Sequence, residues 1–279
     1  MKKKYSCALI ALLLICLCPT LVNAFPIFQE REPEEAKVPV IMYHLVTDRG
    51  KYQGKFGISP AEMEADLKYL KENGYETIGM SDLIRFVDRR DSLPDRPVIL
   101  TFDDGFSSDY NFVFPLLKKY EMNAVMSIVG KFTDDYSNEG NSGKKPHLIW
   151  DQVKEMHKSK LVEIQNHSYD LHGSNGSGRR NGESMEAYQK RLGDDLRTAQ
   201  EKIDENIGTV PTTFTYPLGV MSKGSADVLK ELGMKASLSC TEGMNLIKQD
   251  QPECLFALKR NIRRHGQPIE DVLRKMEKQ

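Results

Sequence analysis

The chain contains 279 residues, with 39 lysines and arginines against 40 aspartates and glutamates and a formal net charge of −1. This length is typical of one large domain or two small ones, and a hydrophobic content of 39% is enough for a buried core. Beyond the N-terminus there is no basic run or stripe. The composition therefore excludes a typical nucleic-acid-binding surface, and we expect no nucleic-acid partner.

The N-terminus has the pattern of a signal peptide over residues 1–24. Three lysines at 2–4 precede an uncharged apolar stretch over 8–17, which is short for a membrane span, and Val22-Asn23-Ala24 offers small residues for cleavage. We therefore expect a secreted or cell-envelope protein, and membrane attachment only if this segment stays uncleaved as an anchor. Residues 25–37 are polar and acidic with two prolines, which indicates a flexible tether.

The remaining residues, 38–279, alternate short apolar runs with amphipathic segments. In chain order we predict a strand over 38–46, a helix from Pro60 to Glu72, a strand over 97–102, a helix over 110–120, a strand over 123–129, a helix over 151–158, a strand over 161–165, a helix over 185–206, a strand over 212–216, a helix over 225–232 and a strand over 235–239. The glycine-rich segment 173–182 is predicted to be a mobile loop.

Strand–helix units repeated in this way imply a parallel sheet. The first predicted strand is not followed by a GxGxxG motif, which counts against a dinucleotide-binding fold. We predict an α/β fold, a distorted (β/α) barrel of about seven parallel strands in a single catalytic domain. In such folds the chemistry lies at the carboxyl ends of the strands.

Two adjacent carboxylates, Asp103 and Asp104, end the apolar strand 97–102 in the motif TFDDG. They repel each other unless a positive group lies beside them, and a cation that binds one while the other stays free as a base would resolve the conflict. The alternative is structural: one aspartate caps the next helix and the other faces solvent. The position at a strand end favours chemistry.

The motif HSYDLH follows the strand 161–165 and contains His167 and His172. Histidines five residues apart lie on different faces of a helix and on opposite sides of a strand. They converge only if the chain turns between them, as it does where a strand opens into a loop. Together with a strand-end aspartate they complete a two-histidine, one-carboxylate set, which leaves metal coordination positions open for water and substrate.

The motifs TFDDG and HSYDLH, with the opening strand PVIMYH, resemble the polysaccharide deacetylase (NodB homology) family, carbohydrate esterase family 4, over roughly Val38 to Ile262. The resemblance implies that Asp103 is the catalytic base and that Asp104, His167 and His172 bind a metal. The five-step histidine spacing is similar to that of the branch containing poly-N-acetylglucosamine deacetylases.

The third motif of the family, Arg-x-Pro-Tyr/Phe-Gly, matches Thr215 to Gly219. The resemblance implies that the backbone N–H of Leu218 stabilises an oxyanion, with Tyr216 and Pro217 beside the substrate. Thr215 replaces the arginine that orients the base. Arg260 could approach from the last strand and stand in for it, and we also count Arg260 among the substrate-binding candidates.

Other parts of the family pattern are weak or open. His44, which ends the first strand, is a further substrate-binding candidate or a satisfied polar residue beneath the site. The late Asp/Trp motif has no match, because the only tryptophan, Trp150, lies upstream of the histidines. The late Leu-x-His motif, source of the general acid, has only His265 as a candidate, and an exposed histidine is the alternative.

The function implied is a secreted, metal-dependent hydrolase that removes N-acetyl groups from N-acetylglucosamine units of an extracellular or cell-wall polysaccharide. The cofactor is one divalent metal, with zinc favoured and cobalt, nickel or manganese open. Alternatives are an acetylxylan or other O-acetyl esterase, or a catalytically weakened glycan-binding module. We expect a monomer whose partner is an acetylated polysaccharide. Cys240 and Cys254 either form a disulfide or stay as free thiols.

Overall fold

The computed structural model describes residues 32–138 and 146–278. Its strands are listed in chain order: β1 (Glu35–Val38), β2 (Val40–Tyr43), β3 (Leu45–Val46), β4 (Gly57–Ile58), β5 (Glu76–Thr77), β6 (Pro97–Asp104), β7 (Ala124–Ile128), β8 (Val162–Asn166), β9 (Thr213–Thr215), β10 (Ala236–Leu238), β11 (Asn245–Lys248) and β12 (Asn261–Ile262).

The helices are α1 (Pro60–Glu72), α2 (Met80–Val87), α3 (Phe114–Tyr120), α4 (Gly130–Asn138), α5 (Trp150–Lys158), α6 (Met185–Ile207), α7 (Ser225–Glu231) and α8 (Ile269–Glu277). Helix α1 begins with a capping box, because the Ser59 side chain accepts from the backbone N–H of Glu62 and the Glu62 carboxylate accepts from the N–H of Ser59. In the described residues no helix is both long enough and apolar enough to cross a membrane.

A parallel sheet forms the centre of the molecule, with the strand order β10-β9-β8-β7-β6-β2-β12, and β5 also pairs with β6. Backbone hydrogen bonds between Leu258 and both Ser237 and Ser239 connect the β10 edge to the segment that enters β12. The sheet therefore curls toward closure. The predicted distorted (β/α) barrel of about seven parallel strands is confirmed, and residues 34–279 form one compact unit.

The burial of β6 fits its position inside the sheet, between β7 and β2. All eight residues of β6 are buried, including its two terminal aspartates, which is the continuous apolar pattern expected of a parallel strand covered on both faces. The antiparallel pair β1–β11 lies outside the main sheet. The carboxyl ends of β2, β6, β8 and β9 therefore collect the polar residues that the sequence singled out.

Several elements differ from the sequence predictions. The predicted strand 38–46 is interrupted at Pro39 and at His44, so its residues belong to the end of β1, to β2 and to β3. The predicted helix 110–120 begins as a π-helical turn, Asp109–Val113, before α3. Sequence periodicity missed α2, α4 and α8, which are short amphipathic helices. The strand β1 starts at Glu35, so the last residues of the stretch predicted as a tether pair with β11. The predicted signal peptide lies outside the described residues.

Candidate active site

The chain turns sharply where β6 delivers its two aspartates. Asp104 has φ 70° and Gly105 has φ 66°, so two successive residues adopt the left-handed conformation. For Asp104 this conformation is strained, and strain of this kind concentrates at functional sites. A side chain at Gly105 would collide with Ile128 at 2.9 Å, which makes glycine necessary at the turn. The turn places both carboxylates at the barrel mouth, with Asp103 and Asp104 only 6% and 4% exposed.

The two histidines converge because the chain also turns after β8. Ser168 has φ 76°, and its N–H donates to Asn166 Oδ1 at 2.7 Å. His167 Nε2 lies 3.2 Å from Asp104 Oδ1, and His172 Nε2 lies 2.9 Å from the same oxygen. The predicted convergence of Asp104, His167 and His172 is therefore the arrangement in the structure.

This cluster has the donor set of a metal site. The three ligand atoms lie within 4.8 Å of one another. Asp104 Oδ1 is buried and has no hydrogen-bond partner among the described residues, so its close contacts to the imidazoles are not hydrogen bonds. His167 Nδ1 bonds the Thr215 carbonyl oxygen at 2.8 Å, which leaves Nε2 free to bind a cation. A divalent metal fits these residues, since it would neutralise the orphaned carboxylate oxygen.

Asp103 is held by Arg260, which enters from the segment before β12. The guanidinium donates to Asp103 Oδ1 at 2.7 Å and to Oδ2 at 2.8 Å. Burial alone would raise the pKa of the Asp103 carboxyl, but the guanidinium outweighs it and lowers that pKa below its usual value. Arg260 is itself held by the Ser239 carbonyl and the Thr101 hydroxyl. The carboxylate is therefore ionised and fixed in orientation.

Arg260 thus occupies the role of the arginine that Thr215 replaces. Its side chain is fully buried, so a polymer cannot reach it, and Arg260 acts through Asp103 and not as the substrate-binding residue that we predicted. Tyr216 needs the same correction. Tyr216 is 3% exposed and its hydroxyl hydrogen-bonds Ser225 Oγ at 2.9 Å. The side chain is therefore part of the core and does not contact substrate.

The turn after β9 carries Leu218 and Pro217. Pro217 is buried, whereas Leu218 is 55% exposed and has φ 57°, a left-handed conformation unusual for leucine. The Thr215 carbonyl oxygen, at the end of β9, hydrogen-bonds His167, so this turn begins directly beside the cluster of Asp104, His167 and His172. The expected backbone turn is therefore present.

Aromatic rings surround the mouth of the site. His44 Nε2 lies 3.6 Å from Asp104 Oδ2, and the side chain is 30% exposed, as a substrate contact requires. Sequence reasoning missed His147, whose Nδ1 lies 3.3 Å from the Asp104 carbonyl oxygen. We call the following set the aromatic rim, since each ring contacts the next: Phe56, His44, Phe106, His147 and Phe132.

Two further sequence-derived residues lie elsewhere. His265 contacts Glu62 at the start of α1 and is 46% exposed, which fits the alternative of an exposed histidine better than a general acid. Cys240 and Cys254 are free thiols, so the disulfide does not form.

Asp195 of α6 is a supporting residue that the sequence did not reveal. Its carboxylate accepts from the backbone N–H groups of Tyr169 and Asp170, both at 2.8 Å. These residues lie between the two histidines, so Asp195 fixes the loop that brings them together. No local signal identifies Asp195, because it lies in the middle of an amphipathic helix.

Fold and site together define a (β/α)-barrel protein with a two-histidine, one-carboxylate cluster beside an arginine-held carboxylate. The family model described as polysaccharide deacetylase matches residues 90–237. The chain belongs to this family.

Similar proteins agree with that assignment. The chain is 25% identical to the poly-beta-1,6-N-acetyl-D-glucosamine N-deacetylase of Escherichia coli K12, over 98% of this chain and 45% of that protein. It is 26% identical to the enzyme of the same name from Staphylococcus aureus, over 67% of this chain and 62% of that one. The chain thus spans less than two thirds of the length of either relative.

Solved structures support the fold. A de-N-acetylase from Aggregatibacter actinomycetemcomitans superposes with a TM-score of 0.72 at 25% identity, covering 86% of this chain and 99% of that one. A Streptococcus pyogenes deacetylase in complex with acetate gives a TM-score of 0.71 at 21% identity, covering 87% and 99%.

Proposed function

We propose that this protein is an exported, metal-dependent de-N-acetylase that hydrolyses N-acetyl groups of N-acetylglucosamine units in a polysaccharide. The observation that carries the proposal is the convergence of Asp104, His167 and His172 beside Asp103, a carboxylate that Arg260 keeps ionised. The family supports deacetylation, and the named activity of the relatives supports the amide substrate.

Each residue has a distinct task in the proposed reaction. Asp104, His167 and His172 would hold a divalent metal, which when bound activates water and polarises a carbonyl oxygen. Asp103 accepts the proton of the attacking water, as a general base fixed by Arg260. The backbone N–H of Leu218 donates to the carbonyl oxygen as negative charge develops there. The C–N bond then breaks, the proton taken up by Asp103 passes to the leaving nitrogen, and acetate and the free sugar amine are the products.

The aromatic rim supports a sugar ligand. Rings such as Phe56, which is 51% exposed, offer flat apolar faces that suit the C–H faces of a pyranose. His44 is the member of this rim beside Asp104, where it can donate to or accept from a substrate hydroxyl or amide. We therefore keep His44 as a substrate-binding residue, whereas the buried Pro217 would act through the turn that carries Leu218.

We also propose zinc as the metal, removal of residues 1–24 on export, and a catalytic domain that extends the predicted range 38–279 back to Glu35, because β1 pairs with β11. Two histidines and one carboxylate form a common catalytic zinc set with open positions. Cobalt, nickel and manganese are the outcomes that metal analysis of the purified protein distinguishes.

The test is acetate release by zinc-loaded protein from three substrates at equal acetyl concentration: β-1,6-linked N-acetylglucosamine oligomers, chitin oligomers and acetylxylan. We expect release from N-acetylglucosamine oligomers to exceed release from acetylxylan. Faster release from acetylxylan would replace the proposal by an O-acetyl esterase. Glycan binding without release from any substrate would indicate a binding module.

A further inference from the structure

In the peptide group between Pro217 and Leu218, the N–H makes no hydrogen bond within the described residues. In this turn the N–H of Gly219 donates to the Tyr216 carbonyl, and the N–H of Val220 donates to the Pro217 carbonyl. Pro217 has no N–H to donate. Among the described residues, the N–H of Leu218 has no acceptor. Leu218 is 55% exposed, and its unpaired N–H is therefore available to a ligand at the turn that follows Thr215.

The other side of the same peptide group is covered by Gly176. A side-chain carbon at Gly176 would lie 2.6 Å from the Pro217 carbonyl oxygen, closer than real contacts allow, and 3.3 Å from Val220. Because a peptide bond is planar and trans, its carbonyl oxygen and its N–H point in opposite directions. The backbone of Gly176 therefore limits how the Pro217 oxygen, and with it the Leu218 N–H, can rotate.

Neighbouring contacts attach the two loops to each other. The buried Ser177 hydroxyl donates to the Val220 carbonyl at 3.0 Å, and the Arg179 N–H donates to Ser222 Oγ at 3.0 Å. A side-chain carbon at Gly178 would lie 2.7 Å from Val220. The segment 173–182, predicted to be mobile, is therefore packed on the Pro217 turn over its central residues.

The far end of this segment is fastened to α6. Arg191 donates to both carboxylate oxygens of Glu183, at 2.7 and 2.9 Å, and to the Gly178 carbonyl oxygen at 2.9 Å. Since the segment begins directly after His172, it connects a metal-cluster loop to the Pro217 turn. The histidine loop and the turn are thus parts of one packed assembly.

We propose that Gly176 and Ser177 are positioning residues that orient the Leu218 N–H toward the oxyanion of the reaction. The proposal rests on the proposed deacetylase function. A methyl group at 176 would push the Pro217 oxygen away, rotate the peptide plane and misdirect the N–H, while Asp104, His167 and His172 keep their places.

The chain offers matched controls for Gly176→Ala. Gly176 has φ +51°, so any substitution there also strains the backbone. Gly182 has φ +75° in the same segment, and nothing lies within 4 Å of a carbon added to it. Gly182→Ala therefore reproduces the backbone strain without the collision. Gly173→Ala adds a methyl group in open space without a positive φ. Ser177→Ala removes the bond to Val220 without adding any atom.

We expect Gly176→Ala to lower kcat about 10- to 100-fold with KM and zinc stoichiometry unchanged, because the loss of one oxyanion donor costs about 10²–10³ in kcat. Ser177→Ala should lower kcat less, and both controls should match the wild type. Equal kcat losses in Gly176→Ala and Gly182→Ala, or a rise in KM alone, would overturn the proposal.

A binding readout separates this proposal from the proposed function. Methylphosphonate, a tetrahedral oxyanion, should shift the Leu218 amide resonance in ¹⁵N-labelled, zinc-loaded wild type and in Gly182→Ala. In Gly176→Ala the shift should be lost. If the wild type releases no acetate, the deacetylase proposal fails, whereas this amide shift still reports on the donor. An unshifted Leu218 amide in wild type bound to methylphosphonate would overturn the positioning role.

Discussion

Arg260 and Asp103 are 157 residues apart in sequence, and their bidentate pair fixes the carboxylate that we propose as the base. A buried guanidinium or carboxylate is costly when alone, and the cost is offset when the two are paired with good geometry. Either partner without the other leaves an uncompensated charge. The pKa of Asp103 therefore depends on Arg260, a residue far away in the sequence.

Replacing Arg260 by methionine should move the acid limb of the pH–rate profile. Burial raises the pKa of Asp103 and Arg260 lowers it. Loss of the guanidinium removes the largest effect that lowers this pKa and leaves only the weaker effect of His167 against burial, so the carboxyl binds its proton up to a higher pH. Since the base acts only when ionised, kcat/KM should fall as pH decreases at a higher pH than in wild type.

The control is Lys259→Met, at an exposed neighbouring position. An unchanged zinc stoichiometry would show that Arg260→Met is folded. An acid limb at the same pH in wild type and Arg260→Met would contradict the role given to Arg260.

At the scale of elements, the regular strands and helices were predictable because their patterns are local. The buried run of β6 and the capping box of α1 are examples. The division of the first predicted strand at His44, and the short helices α2, α4 and α8, were not. Their boundaries depend on packing against elements that are distant in sequence. The periodicity of the sequence carries no information about such contacts.

Helix α6 should contribute to metal affinity through Asp195. Asp195→Ala removes the acceptor of two backbone N–H groups in the histidine loop. Outer partners of metal ligands are typically worth about 10- to 100-fold in affinity, and we expect zinc affinity to fall about 10-fold in a competition titration. The neighbouring Asp194→Ala is the control, because Asp194 is exposed and pairs with Lys190. Equal zinc affinity in both variants would show that Asp195 does not hold the histidine loop in place for the metal.

Helix α1 should lose stability at neutral pH when Glu62 becomes glutamine. Burial raises the pKa of Glu62, but backbone N–H donation from Ser59 and Gly266 outweighs it and lowers the value from 4.5 to about 2. A depressed carboxyl pKa stabilises the fold above pH 4.5, and this contribution disappears as pH falls toward 2.

We expect Glu62→Gln to lower the free energy of unfolding by about 1 kcal/mol at neutral pH, a figure reduced for partial solvent exposure. Urea unfolding should show the difference from wild type shrinking between pH 4.5 and pH 2. Glu72→Gln, an exposed site at the end of the same helix, is the control. A pH-independent difference would show that the carboxylate charge is not responsible.

At the scale of the whole molecule, the site is assembled from strand ends that the barrel brings together. Asp103, Asp104, His167 and His172 could be predicted because each pair lies in one short motif after one strand. The role of Arg260 could be inferred only from the expected position of the last strand. No local sequence pattern identifies His147 or Asp195. Residues that act through another residue are specified by three-dimensional proximity, which one sequence does not display.

The central claim is that Asp104, His167 and His172 hold the metal while Asp103 is a separate base. It is tested most directly by measuring metal content and acetate release together in wild type and Asp103→Asn. We predict about one bound zinc per chain in both proteins, with acetate release from N-acetylglucosamine oligomers reduced at least about 10²-fold in the variant. Loss of the metal in Asp103→Asn, or release at the wild-type rate, would contradict the account.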